Sequence, residues 1–118
     1  MAEASSNCIF CQIARGEMGT EFVAESEHAV AFRDLSPQAP THVLVVPREH
    51  IPDLHHLSED QAALGGELLL LAVDVARREG LLDQGYRVLT NDGAHAGQTV
   101  PHLHFHVLGG RMLREGLA

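Results

Sequence analysis

The sequence predicts an α+β domain: a five-stranded, mainly antiparallel sheet with one long helix and one short one. Three observations predict it. Five segments carry β-branched or alternating apolar residues. One long segment repeats its leucines at helical spacing. Most strand connections are too short for a parallel crossover. At 118 residues the chain is near the size of one domain, so 1–118 is taken as a single unit with 1–6 and 113–118 as flexible ends.

Each element has a local cause. Asn7 can cap a short helix that starts at Cys8 and ends at Gly16. Glu21–Ser26 and His28–Asp34 read as two strands joined by a tight turn near Glu27. Leu35–Pro40 holds two prolines three apart and cannot be regular structure. His42–Pro47 is rich in valine and reads as a strand. Ser58-Glu-Asp-Gln61 fits a capping box, with acids suited to the positive end of a helix dipole. Leu64, Leu68, Leu71 and Val75 then share one face of a helix expected over Glu59–Glu79 and stopped by Gly80. Tyr86–Asn91 is a further strand, Asp92–Thr99 a glycine-containing loop, and Val100–Leu108 the last strand, ended by Gly109-Gly110.

Composition narrows the function. The formal net charge is −8, and all eight basic residues are arginine. Such a chain is poorly suited to displacing counterions from a nucleic-acid backbone, so no nucleic-acid partner is expected. No apolar run reaches the roughly 18 residues of a membrane span. The N-terminal segment lacks a basic stretch followed by an apolar one, and two cysteines are too few for a disulfide framework. An intracellular, cytoplasmic protein in a reducing compartment is expected.

Nine histidines in so short a chain need a reason, and three of them alternate. In His102-Leu-His-Phe-His-Val-Leu108, strand geometry sends Leu103, Phe105 and Val107 to one face. His102, His104 and His106 go to the other, about 6.7 Å apart. A row of imidazoles suits metal ligation, acid–base work or nucleophilic attack. A nucleophilic imidazole needs one nitrogen free and the other held as a donor. The preceding Gly97-Gln-Thr99 offers close backbone approach and a hydroxyl, as phosphate sites require. Together these point to attack on phosphorus.

The segment Gly97-Gln-Thr-Val-Pro-His-Leu-His-Phe-His-Val-Leu-Gly-Gly110 resembles the signature of the histidine triad superfamily. Asp34-Leu-Ser-Pro-Gln-Ala-Pro-Thr-His-Val-Leu-Val-Val-Pro-Arg-Glu-His-Ile51 resembles the other hallmark region of its nucleoside phosphoramidase branch. Cys8-Ile-Phe-Cys-Gln-Ile13 is similar to the start of many bacterial members. The resemblance implies a hydrolase of nucleoside 5′-phosphoramidates, acting on a purine nucleotide through a nucleotidyl-histidine intermediate. It makes His104 the nucleophile, with His106, His42 and Thr99 as its catalytic partners. It assigns Asp34 to the ribose hydroxyls, Leu35 to the base, and Asn91, Gly97, Gln98 and Val100 to further substrate contacts. It implies a homodimer that extends the sheet. One departure is visible: Met112–Ala118 contains no aromatic residue, where the family's phosphoramidases carry an aromatic tail.

Cys8-x-x-Cys11 by spacing is half a zinc site. The resemblance completes it with His50 and His102, making a structural zinc site of two sulfurs and two nitrogens. His102 would then anchor the nucleophile's strand rather than touch substrate. Three alternatives stay open: a dinucleoside polyphosphate hydrolase, a zinc-stabilised nucleotide-binding scaffold with little catalysis, and a metallo-hydrolase whose triad holds the metal. No role is assigned to His28, His55, His56 or His95.

Overall fold

The computed structural model describes residues 7–115. Of the flexible ends expected at 1–6 and 113–118, residues 1–6 and 116–118 lie outside the described residues. Five strands form one sheet: β1 (Ala24–Glu25), β2 (Ala29–Arg33), β3 (Thr41–Pro47), β4 (Tyr86–Leu89) and β5 (Phe105–Gly109). Their order is β1-β2-β3-β5-β4, and every pairing is antiparallel. The short helix α1 is Ile9–Ala14 and the long helix α2 is Ala62–Arg78.

The period of two along each strand sorts the sheet into two faces. Ala29, Ala31, Val43, Val45, Phe105 and Val107 pack under α2 through Leu68, Leu71, Ala72 and Val75. Val30, Phe32, Leu44 and Val46 face the other way and pack against Phe10, Cys11 and Ala14 of α1. α2 thus covers one face of the sheet and α1 part of the other.

Several boundaries differ from the sequence expectation: β1 is shorter than Glu21–Ser26, β4 stops short of Asn91, and three further differences have a local cause. Cys8, not Asn7, caps α1, its sulfur accepting from the Cys11 amide. The long helix opens with a tight 3-10 turn over Glu59–Gln61, and α-geometry begins at Ala62. The capping box at Ser58 and Gln61 is present. The last strand begins at Phe105 rather than Val100. Pro101 has no amide to give a ladder, and its neighbours bond elsewhere. The Leu103 amide donates to Ile51 O at 2.6 Å and the His102 amide to Val100 O at 2.8 Å. His104 O accepts the Thr90 hydroxyl at 2.7 Å. The alternation of side chains persists through this irregular segment, but His102 and His104 lie outside the ladder.

Candidate active site and metal centre

Alternation brings the predicted histidines to the α1 side of the sheet. This face is buried rather than solvated: His102 is 0% exposed, His42 5% and His104 7%. Buried imidazoles need partners, and three backbone groups supply them in a way that sets the tautomers.

His104 Nδ1 lies 2.7 Å from His102 O. A carbonyl only accepts, so Nδ1 carries the proton and the lone pair sits on Nε2. His42 Nδ1 lies 3.0 Å from the Gln38 amide. An amide only donates, so the His42 proton is on Nε2, which reaches His106 Nδ1 at 2.9 Å. His106 must then carry its proton on Nε2, and that buried atom has no partner among the described residues. The His104 and His106 ring centres are 5.1 Å apart. A lone pair on one ring thus stands beside an unspent N–H on the next.

Burial disfavours charging of His106 and His42. Burial pushes His106 down to about 4, helped by the neighbouring His104 and His42 and opposed by Asp34. Burial also lowers His42, against the opposing pull of Asp34. Asp34 Oδ2 is 3.5 Å from His42 Nε2, while its Oδ1 accepts from the Ser36 amide at 2.7 Å.

The other expected contacts are placed less uniformly. Leu35 is 99% exposed beside Asp34. Thr99 is exposed, and Asn91 is half-buried just beyond β4. Val100 packs against the cluster that contains Phe10. Gly97 has φ +84°, a conformation that favours glycine. Its amide donates to Ala94 O, and the Gln98 amide to Gly93 O, within their own loop. The Gln98 side chain accepts from the Gly93 amide and donates to Pro52 O and Val100 O. Gly97 and Gln98 shape the loop and tie it to Pro52, and their polar groups are engaged in doing so.

Three supporting residues were not anticipated. Thr90 holds the backbone carbonyl of His104. The Gln38 amide orients His42. The Phe10 ring meets His102 and His104 edge-on, at 5.9 and 5.1 Å between centres. Sequence offers no signal for the first two. Phe10 stands inside the Cys-x-x-Cys motif, which is the one available hint.

A second cluster adjoins the first. Cys8, Cys11, His50 and His102 bring one ligand atom each within 4.8 Å of one another. His102 Nε2 donates to Pro47 O at 2.9 Å, which leaves the Nδ1 lone pair toward the sulfurs. Cys8 Sγ is 3.2 Å and Cys11 Sγ 3.5 Å from that Nδ1, and His50 Nδ1 is 3.2 Å from Cys11 Sγ. A tetrahedral zinc ion with bonds of about 2.0–2.3 Å sets ligand atoms roughly 3.3–3.8 Å apart. Donor set and spacing both fit. His102 is common to the two clusters: its ring faces the thiols and its carbonyl holds the ring of His104.

Comparison with known proteins agrees with this geometry. The HIT domain model matches residues 15–113. A purine nucleoside phosphoramidase of Escherichia coli is 41% identical over 110 residues, 93% of this chain and 92% of that protein. An uncharacterized HIT-like protein of Synechococcus elongatus is 46% identical over 109 residues, 92% and 95% of the two chains. Among solved structures, a HIT family hydrolase from Legionella pneumophila superposes with a TM-score of 0.89 at 42% identity, covering 92% and 97% of the two chains. A histidine triad protein from Clostridium difficile superposes with a TM-score of 0.92 at 36% identity, covering 97% and 99%. The ordered imidazoles, the sheet that carries them and these matches place the chain in the HIT (histidine triad) family.

Proposed function

We propose that the chain hydrolyses nucleoside 5′-phosphoramidates, with His104 as the nucleophile. The observation that carries this is the pairing of the His104 Nε2 lone pair with the orphan His106 Nε2–H. Nε2 attacks the α-phosphorus, the P–N bond breaks, and the amine leaves with a proton drawn from solvent, which the water of the second step returns. Water then cleaves the nucleotidyl-histidine, releasing nucleoside monophosphate and restoring His104. His106 donates to a phosphate oxygen as charge builds there, and His42 holds His106 in the donor tautomer. The exposed Thr99 hydroxyl assists the leaving group. Asp34 takes the ribose hydroxyls, Leu35 the purine base, and Asn91 flanks the phosphate. Gly97, Gln98 and Val100 form the wall behind it. The P–N bond is favoured over a polyphosphate because the Escherichia coli relative is named a purine nucleoside phosphoramidase.

Cys8, Cys11, His50 and His102 would hold a structural zinc ion. All four positions are taken by protein, so the ion supplies rigidity and no open coordination site. A homodimer, extending the sheet beyond its edge strand β4, and a cytoplasmic location, which keeps the thiols reduced, complete the reading.

Asp34, His42 and His106 also group three ligand-type atoms within 4.8 Å. The Gln38 amide occupies His42 Nδ1, so His42 Nε2 presents a proton to His106 and no lone pair to an ion, which favours a proton network over a metal. Assay of the zinc-loaded chain with adenosine 5′-phosphoramidate and with a diadenosine polyphosphate tests the proposal. His104→Ala is expected to lose at least about 10³-fold in turnover, with brief chelation having little effect. Activity that survives His104→Ala but not chelation would replace the nucleophile by a metal. Turnover of the polyphosphate alone would move the substrate class. Tight nucleotide binding without turnover of either compound would make the chain a binding scaffold.

A further inference from the structure

The four histidines without a role do not scatter evenly. His55 and His56 are consecutive, yet both turn Nδ1 toward one oxygen. His56 Nδ1 is 2.5 Å and His55 Nδ1 3.2 Å from Asp53 Oδ1. A second carboxylate arrives from a different segment: both oxygens of Asp92 lie within 3.0 Å of His55 Nδ1. Asp53 also caps its short 3-10 turn through the His56 amide. That task needs one oxygen and one amide. It does not require two imidazoles of adjacent residues, which leave a helical backbone in diverging directions, to converge on the same atom.

We infer that Asp53, His55, His56 and Asp92 form a second metal site, distinct from the cysteine cluster, for a first-row divalent transition ion. The ligand atoms of Asp53, His55 and His56 lie within 4.8 Å of one another. Two imidazole nitrogens and two carboxylate oxygens select zinc, cobalt, nickel or copper(II) over magnesium and calcium, which take oxygen alone. Two carboxylates exactly offset a divalent charge, and a chain of net charge −8 attracts cations. Binding displaces the shared Nδ1 protons, and the Asp53–His56 separation lengthens toward a tetrahedral edge.

The site joins two loops. Residues 53–56 follow β3, and Asp92 opens the glycine loop that leads to Thr99. Gln98 Nε2 already donates to Pro52 O at 2.8 Å, so an ion here would be a second staple between the same two segments. The site would therefore stiffen the loop in front of the histidine row without touching the histidines themselves.

Equilibrium dialysis of the full chain against zinc(II), followed by metal analysis, tests this. Wild type is expected to hold one equivalent per chain more than His55→Gln/His56→Gln, whatever the cysteine cluster binds. His28→Gln, an exposed histidine outside the cluster, should match wild type. Asp92→Asn should weaken binding of the extra equivalent at least tenfold. Zinc should also slow amide exchange at residues 93–98 in wild type and not in the double variant. Equal stoichiometry in wild type and the double variant overturns the site. So does an equal loss in His28→Gln, which would mark general surface binding. Unchanged affinity in Asp92→Asn overturns the staple between loops.

Discussion

His102 serves two neighbours with different atoms. Its Nε2 is anchored on Pro47 O, its Nδ1 faces two thiols, and its carbonyl fixes the proton of His104. The chemistry of the row rests on such backbone contacts. Alternation was legible in the sequence, and so was the demand that a nucleophilic imidazole have one nitrogen held. Which carbonyl or amide would hold it was not, because the partners come from residues 38 and 47 and from an irregular stretch next to the strand. Titration gives a check at this scale. His106 has a folded value near 4 against an ordinary 6.5. Between those values the unfolded chain binds a proton that the folded chain does not, so stability falls as pH falls. In His106→Gln, the side-chain carbonyl can still accept from His42 but takes up no proton. Melting from pH 7 to 5 should therefore cost wild type roughly 4 °C more than the variant, about 1 kcal/mol once partial solvent exposure is allowed for. Equal slopes would contradict the neutral, buried assignment.

At the scale of elements, the hairpin of β1 and β2 is tied to α2 by one carboxylate. Glu67 accepts from the Ser26 hydroxyl, the His28 amide and His28 Nδ1. These bonds bring Glu67 down to about 2 from an ordinary 4.5, and Glu67 in turn raises His28 above its ordinary 6.5. The carboxylate's contribution is complete above 4.5 and fades as pH falls toward 2. The imidazole's contribution is complete below 6.5 and fades as pH rises through its raised value. The clamp is therefore strongest from about 4.5 to 6.5. Glu67→Gln should lower Tm by roughly 4 °C at pH 5.5 and by less at pH 8 and pH 3. A uniform loss across pH would mean packing rather than charge. The sequence shows Glu67 as a polar position on an amphipathic helix. Its partners, 39 and 41 residues away, become visible only when the hairpin lies on the helix. The late start of β5 has a similar origin, since Leu103 finds Ile51 O before it finds a strand.

In the whole molecule, the sheet separates an apolar layer under α2 from a mixed layer under α1. Leu68 is fully buried in the first. Leu68→Ala should cost about 2–5 kcal/mol through lost burial and the cavity left behind, read from denaturant unfolding. The second layer has fewer apolar residues and two buried thiols beside imidazoles, so under the proposed zinc reading the ion would hold it together. Removing the metal with a chelator should lower Tm by roughly 8 °C or more, on the basis of about 4 °C per kcal/mol for a chain of this size. The same treatment of Cys8→Ser/Cys11→Ser should lower Tm much less, since only the ion inferred at Asp53, His55, His56 and Asp92 is left to lose. A zinc-loaded wild type that melts at the same temperature with and without metal would remove the ion from the structure's account.

The amino-acid sequence by itself determined the α+β class, the five strands and long helix, and the row of histidines at alternate positions. Periods of two and 3.6 and the restrictions of proline and glycine act over a few residues, and a chain read in order displays them. Tertiary structure decided that the histidine face is buried, which nitrogen of each triad imidazole carries the proton, and that Gln98 spends its side chain on its own loop and on Pro52. It alone decided that Asp92 meets His55. Some of these depend on partners distant in sequence, such as Pro47 for His102 and Asp92 for His55, and others on irregular backbone nearby, such as Gln38 for His42 and His102 for His104. In both cases only packing sets which donors and acceptors meet once water is excluded.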